Sequence, residues 1–276
     1  METFQYLNEY YSNYQEDARL LSRAGQVEYL TTMRYIGRYL RPGMRVLEVG
    51  AGTGRYSLTF AELGAEVTAV EPVAHNLEIL RGKIVPGQNV TALKGAAENL
   101  SMLESDSYDM TLLLGPMYHL ATEEQRMQAM AEAIRVTKPG GVIMAAYCIA
   151  EGSILKYGFG QHNIAQLIGS GQLSSRDFAF RNQQEDVFMM LRKADIDRMM
   201  RGFPAQRRQA PGSQHTQLPE RWRLWKLRRL QSIAYHWHCG PSGFDCGRSL
   251  YCHHRTGTHD QRRAGGKPGC QRLPWH

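Results

Sequence analysis

Three glycines at alternate positions, Gly50, Gly52 and Gly54, follow the strand-like run Arg45-Val46-Leu47-Glu48-Val49. No other feature limits the fold as tightly. Loss of Cβ at every second residue lets a chain turn sharply and lie close to a ligand. The run before the glycines suits a short buried strand. Residues 56–63 after them suit a helix, and Glu66-Val67-Thr68-Ala69-Val70-Glu71 reads as a second strand that ends on a carboxylate. In such a βαβ unit the helix amides and the acid meet at one end of the sheet. That end can hold a nucleoside.

The glycine spacing narrows the choice. A dinucleotide loop of the form G-x-G-x-x-G needs a third glycine at position 55, where this chain has Arg55; its glycine is at 54 instead. The pattern G-x-G-x-G, preceded by Glu48, resembles motif I of the class I S-adenosylmethionine-dependent methyltransferases. Further elements follow in that family's order. Val90–Leu93 predicts a third strand leading into Lys94-Gly95-Ala96-Ala97-Glu98, and residues 107–114 a fourth strand, followed by Gly115-Pro116-Met117-Tyr118-His119. Thr122-Glu123-Glu124-Gln125 is a capping box that starts a helix. Lys138-Pro139-Gly140-Gly141 is read as the turn that launches strand five, Val142–Tyr147. The resemblance covers residues 15 to 200.

The resemblance implies an α/β fold: a Rossmann-like, mostly parallel sheet with helices on both faces and an N-terminal helical cover. It implies transfer of a methyl group from S-adenosylmethionine to a small molecule. Glu48, Gly50, Ala51, Gly52 and Gly54 are expected around the methionine and ribose, with Glu71 on the ribose hydroxyls and Pro72 beside the adenine. The family often has an acid directly after the glycine at 95. Here that position is Ala96, so Ala97 and Glu98 become the adenine-side candidates. Gly115 faces the cofactor, and Tyr118 and His119 are the catalytic candidates in the acceptor pocket. A nicotinamide-dependent oxidoreductase is the alternative enzyme reading. No metal is expected at the catalytic site.

Residues 1–40 form the expected cover. Val27, Leu30, Met33, Ile36 and Leu40 recur at helical spacing, a stripe suited to packing on the sheet. Tyr11, Arg19 and Arg23 are candidates to line the cleft. Residues 41–200 are the expected methyltransferase domain. Glycines at 152, 158, 160, 169 and 171 predict a mobile connection over residues 150–180, a lid or substrate segment.

Residues 201–276 break the pattern. They hold 14 Lys+Arg against 3 Asp+Glu, +14 − 3 = +11, and the first 200 residues carry 19 − 23 = −4. No strand is expected after Phe203. The sheet is therefore expected to be incomplete at its C-terminal edge, with strand five exposed there. Three readings of this basic, disordered tail stay open. One is a nucleic-acid arm around Arg221–Arg229, the disfavoured partner reading. Another is a metal site from Cys239, Cys246, Cys252, His253, His254 and His259, whose spacing lacks a short C-x₂₋₄-C knuckle. The favoured third is a frameshifted terminus, given the enrichment in Arg, Gln, His, Trp and Cys. No run of 18 apolar residues predicts a membrane span. The single cysteine of the first 200 residues, Cys148, fits a reducing cytoplasm.

Overall fold

The structure, a computed structural model, describes residues 5–14, 16–19, 21–182, 186–203, 205–209, 222–227 and 230–237. The chain divides into two compact units at Ser242/Gly243. The cysteine and histidine set proposed for a metal, and Arg221, Arg228 and Arg229 of the basic arm, lie outside the described residues. Among those described, no group of three or more His, Cys, Asp or Glu side chains could hold a metal ion. None of the described helices is long and apolar enough to cross a membrane.

Three helices lead the chain: α1 Gln5–Asn13, α2 Glu16–Arg19 and α3 Arg23–Ile36. Ser22 caps α3 by accepting from the amide of Gly25. Alternation then begins with β1 Arg45–Val49, α4 Arg55–Glu62, β2 Glu66–Glu71, α5 Ala74–Lys83, β3 Val90–Lys94 and β4 Tyr108–Leu113. A single 3₁₀ turn, Pro116–Tyr118, precedes α6 Glu123–Val136, β5 Thr137–Ile149 and α7 Ala150–Ser153. The remainder is a π turn at Ile154–Phe159, then α8 Ile164–Gly169, β6 Met190–Leu191, α9 Lys193–Met200, β7 Ala205–Gln209, β8 Trp222–Leu227 and β9 Leu230–Trp237.

The sheet is open, in the order β3-β2-β1-β4-β5-β9-β8-β7. Strands β3, β2, β1, β4, β5 and β9 are parallel, as βαβ crossovers require. The first and fourth strands are adjacent, so the strand order reverses there and a crevice opens at their carboxyl ends. The strands are apolar on both faces. Leu47, Val49, Leu113 and Ile143 belong to one buried cluster, and Val46, Met110, Leu112 and Met144 to the other. The Thr122–Gln125 capping box is formed in both directions.

Four expectations need correction. Strand pairing continues after Phe203: β9 runs parallel along β5 from Gly141 to Cys148, and β8 and β7 add antiparallel neighbours. The edge of β5 is therefore covered, not exposed. Backbone pairing tolerates the polar residues that obscured a period-two pattern in β7. Second, Lys138-Pro139-Gly140-Gly141 lies inside β5 as an irregularity. The register with β4 jumps from Tyr108↔Thr137 to Met110↔Val142, and Gly140 takes φ 84°. Third, Val27 and Leu30 are 60% and 65% exposed, while Ile36 is fully buried. Only the C-terminal half of the α3 stripe reaches the sheet. Fourth, residues 150–180 carry short helices and a small core of Ile154, Leu167 and Leu173 where the glycines predicted no rigid element.

Candidate functional site

The crevice at the carboxyl ends of β1 and β4 is a pocket. Its floor is the glycine loop. Gly50, Gly52 and Gly54 have φ values of 73°, 56° and 85°, in the left-handed region that side chains other than glycine's resist. At Gly54 a Cβ would stand 2.1 Å from Leu80 Cδ1, and at Gly50 one would stand 2.9 Å from Pro116 Cδ. Gly52 is different, for its Cβ would meet only Glu16 Cγ, at 3.7 Å. Two of the glycines are thus set by packing. The third keeps bare backbone facing the pocket.

Two buried acids flank the loop. Glu71, at the tip of β2, accepts from the Gly52 amide at 2.8 Å and from the Val73 amide at 3.0 Å. Burial pushes its carboxyl up to about 7, although those two amides oppose the shift. Glu48 accepts from Ser57 Oγ, and burial pushes it up to about 8. Asn76 beside Glu71 is buried, and its Oδ1 has no hydrogen-bond partner. An orphaned acceptor that lines a pocket is a place for a ligand donor.

The far wall comes from the turn after β4 and from the N-terminal helices. His119 is buried and held from several sides. Its Nδ1 lies 2.6 Å from the Val187 carbonyl, and its Nε2 lies 2.9 Å from Tyr11 Oη. A carbonyl only accepts, so the proton sits on Nδ1 and Nε2 accepts from the Tyr11 hydroxyl. Tyr6 Oη donates to the His119 carbonyl at 2.8 Å. Tyr118 and Phe188 flank the imidazole with centroids at 4.6 and 5.2 Å. Burial, aided by the Arg19 charge, holds the ring down to about 4, so it is neutral at pH 7.

A protein-family model described as a methyltransferase domain matches residues 46–141, from β1 into β5. This stretch holds the glycine loop, Glu71 and the 115–119 turn. The matched residues are the ones that carry the resemblance to class I S-adenosylmethionine-dependent methyltransferases. Over 97 residues the chain is 35% identical to the uncharacterized methyltransferase Rv3342 of Mycobacterium tuberculosis, covering 35% of this chain and 37% of that protein. It is 32% identical over 128 residues to a ubiquinone biosynthesis O-methyltransferase of Methylocella silvestris, covering 46% of this chain and 48% of that one. The chain thus spans less than half the length of these relatives. The fold resembles that of the PH0226 protein from Pyrococcus horikoshii, with a TM-score of 0.53 and 19% identity over 74% of this chain and 94% of that one.

The pocket gathers most of the residues expected from sequence. Glu48, Gly50, Ala51, Gly52, Glu71, Gly115, Tyr118, His119 and Tyr11 all line it. Gly54 lies behind the loop, against Leu80. Pro72, Ala97 and Glu98 are not among the lining residues. Ala97 packs in the core with Leu100. Glu98 is partly buried, with an unpartnered Oε2, and burial raises its carboxyl. Arg23 is exposed and away from the pocket. Sequence reasoning missed Glu16, Thr53, Arg55, Tyr56, Asn76 and Leu114, which also line it. Asn76 could have been found from its place just after the β2 acid. Glu16 carries no sequence signal, because its position depends on how α2 docks.

S-adenosylmethionine is the cofactor of this family, and the residues present suit it. The pocket offers bare backbone at Gly52, a carboxyl at Glu71 for a diol and an unpaired acceptor at Asn76 Oδ1.

Proposed function

We propose that this chain catalyses methyl transfer from S-adenosylmethionine to a small-molecule acceptor bound against Tyr118 and His119. One observation carries the proposal: the glycine loop, the Glu71 carboxyl and the Tyr118–His119 turn open into a single pocket. The similarity to a ubiquinone biosynthesis O-methyltransferase supports a small-molecule acceptor. Residues 1–40 act as the cover, 41–200 as the catalytic domain and 201–276 as a basic segment whose described strands join the sheet. Its composition supports an out-of-frame origin, which the nucleotide sequence around codons 200–210 tests. The single cysteine of the first 200 residues supports a cytoplasmic setting.

The cofactor supplies an electrophilic methyl group on a sulfonium. The chain supplies position and exclusion of water. Glu48, Gly50, Ala51, Gly52 and Gly54 shape the loop for the methionine and ribose, and Glu71 accepts from the ribose hydroxyls. The resemblance puts Pro72, Ala97 and Glu98 toward the adenine end, outside the pocket's lining, while Gly115 borders the cofactor. Neutral His119 accepts from the Tyr11 hydroxyl at Nε2 and so fixes its orientation. The Tyr11 oxygen can then accept from an acceptor hydroxyl and align it for in-line attack.

Isothermal titration with S-adenosylmethionine is the test. Wild type binds it in preference to NADH, and Glu71→Ala loses most of that affinity. Failure of wild type to bind, or undiminished binding by Glu71→Ala, removes the proposal.

A further inference from the structure

The wall opposite Gly52 is built from charge. Arg19 Nε donates to Glu16 Oε1 at 2.7 Å, and Arg19 Nη1 donates to Glu28 Oε1. All three side chains are largely shielded: Arg19 is 17% exposed, Glu16 15% and Glu28 18%. One guanidinium thus serves two carboxylates. Glu28 sits in the 14-residue α3, whereas Glu16 and Arg19 sit on the four-residue α2. Both residues of α2 line the pocket with the glycine loop, and the Glu16 stem stands over the bare backbone of Gly52. Glu16 therefore holds a carboxylate at the place where a ligand meets the loop, already paired with Arg19.

We infer that Glu16 is a built-in stand-in for an amino-acid carboxylate, and that the carboxylate of the cofactor's methionine moiety replaces it on Arg19. This inference rests on the function proposed above and names the residues that recognise one end of its cofactor. The exchange swaps one carboxylate for another on the same guanidinium, so Arg19 loses no charge-assisted hydrogen bond. Glu28 holds Arg19 throughout and keeps the buried cation from being stranded. Binding then has to displace Glu16, so the resting contact weakens affinity for ligands whose carboxylate takes its place on Arg19.

Calorimetry on the full chain with two probes tests this. S-adenosylhomocysteine has the amino-acid group, and 5′-methylthioadenosine has the nucleoside and sulfur without it. Arg19→Gln should lower affinity for S-adenosylhomocysteine by about tenfold or more, the usual weight of a hydrogen bond to a charged group. Affinity for methylthioadenosine should stay within about twofold. Glu16→Gln, which keeps the shape and removes the charge, should raise affinity for S-adenosylhomocysteine by about threefold or more and leave methylthioadenosine unmoved. Equal losses of both probes in Arg19→Gln overturn the inference. So does weaker S-adenosylhomocysteine binding in Glu16→Gln, which would make Glu16 a partner of the ligand's ammonium. If Arg19→Gln fails to fold, as its melting curve would show, the Glu16→Gln result decides alone. Wild type that binds methylthioadenosine but not S-adenosylhomocysteine overturns this inference and leaves the proposed function standing. Wild type that binds neither overturns both.

Discussion

The two walls of the pocket are built by different physics. The sheet-side wall is backbone: strand ends, a left-handed glycine loop and acids held by amides. Its residues sit among strands buried at all but one position, such as β1 and β4. The helix-side wall is side chain. Tyr6 and Tyr11 on His119 and Tyr29 Oη on Thr59 Oγ1 at 2.8 Å fasten the cover, and the Arg19 ion pairs join α2 to α3 within it. Its outer face leaves Leu21, Val27 and Leu30 mostly exposed. A wall made of packed backbone exists with or without a ligand. A wall made of a few polar contacts can be exchanged for ligand contacts at modest cost, because each such bond nets only about 0.5–1.5 kcal/mol. Under the proposed function, the contrast would give recognition of the nucleoside to the sheet and admission of the ligand to the helices.

The contrast can be broken at its strongest point first. Gly54→Ala combines a φ of 85° with a Cβ placed 2.1 Å from Leu80 Cδ1. It should cost about 3 kcal/mol or more in chemical denaturation. A loss near zero would show that the loop is pliable and that the two walls do not differ. Glu71→Ala comes next. It removes the carboxyl that Gly52 and Val73 bond, and it should lower affinity for S-adenosylhomocysteine by about 100-fold, two charge-assisted bonds' worth.

Glu48 tests the sheet wall through pH. Its folded value of about 8 lies above its ordinary value of 4.5, so between these limits the native state holds a proton that the unfolded chain has lost. The contribution is complete below about pH 4.5 and falls as pH rises towards 8. Glu48→Gln should flatten this decline in melting temperature, and an unchanged profile would place the titration elsewhere. His119 has the opposite sign. Its value of about 4 lies below the ordinary 6.5, so its share of stability is present above 6.5 and is lost as pH falls towards 4. Smallest is Tyr29→Phe, which deletes one bond of the cover to Thr59. About 1 kcal/mol or less is expected, with affinity nearly unchanged. A large loss of binding would mean that the cover is as integral as the sheet.

Much of the sheet wall was legible because its signals are local. Arg45–Val49, Glu66–Glu71 and residues 107–114 are runs whose apolar content suits strands buried on both faces, and they form β1, β2 and β4 within a residue. The capping box at Thr122 is likewise a four-residue statement. Legibility failed where pairing is decided at a distance. The Lys138–Gly141 turn became strand because β4 on one side and β9 on the other accept a bulged register. The strands after Phe203 pair through backbone in a stretch without apolar alternation. Val27 and Leu30 followed the helical spacing of Ile36 but stand out of reach of the sheet.

The sequence by itself determined the cofactor wall. Glycine spacing, strand ends and the carboxylate at Glu71 all fall within 27 consecutive positions, residues 45 to 71, where chain connectivity already fixes their geometry. Only the tertiary structure decided what faces that wall. Tyr11 meets His119 across 108 positions, and Asn76, Glu16 and Arg19 reach the loop only once the helices have docked. The physical reason is that an apolar stripe specifies that a helix must pack, while its depth and rotation depend on the shape of the surface that receives it.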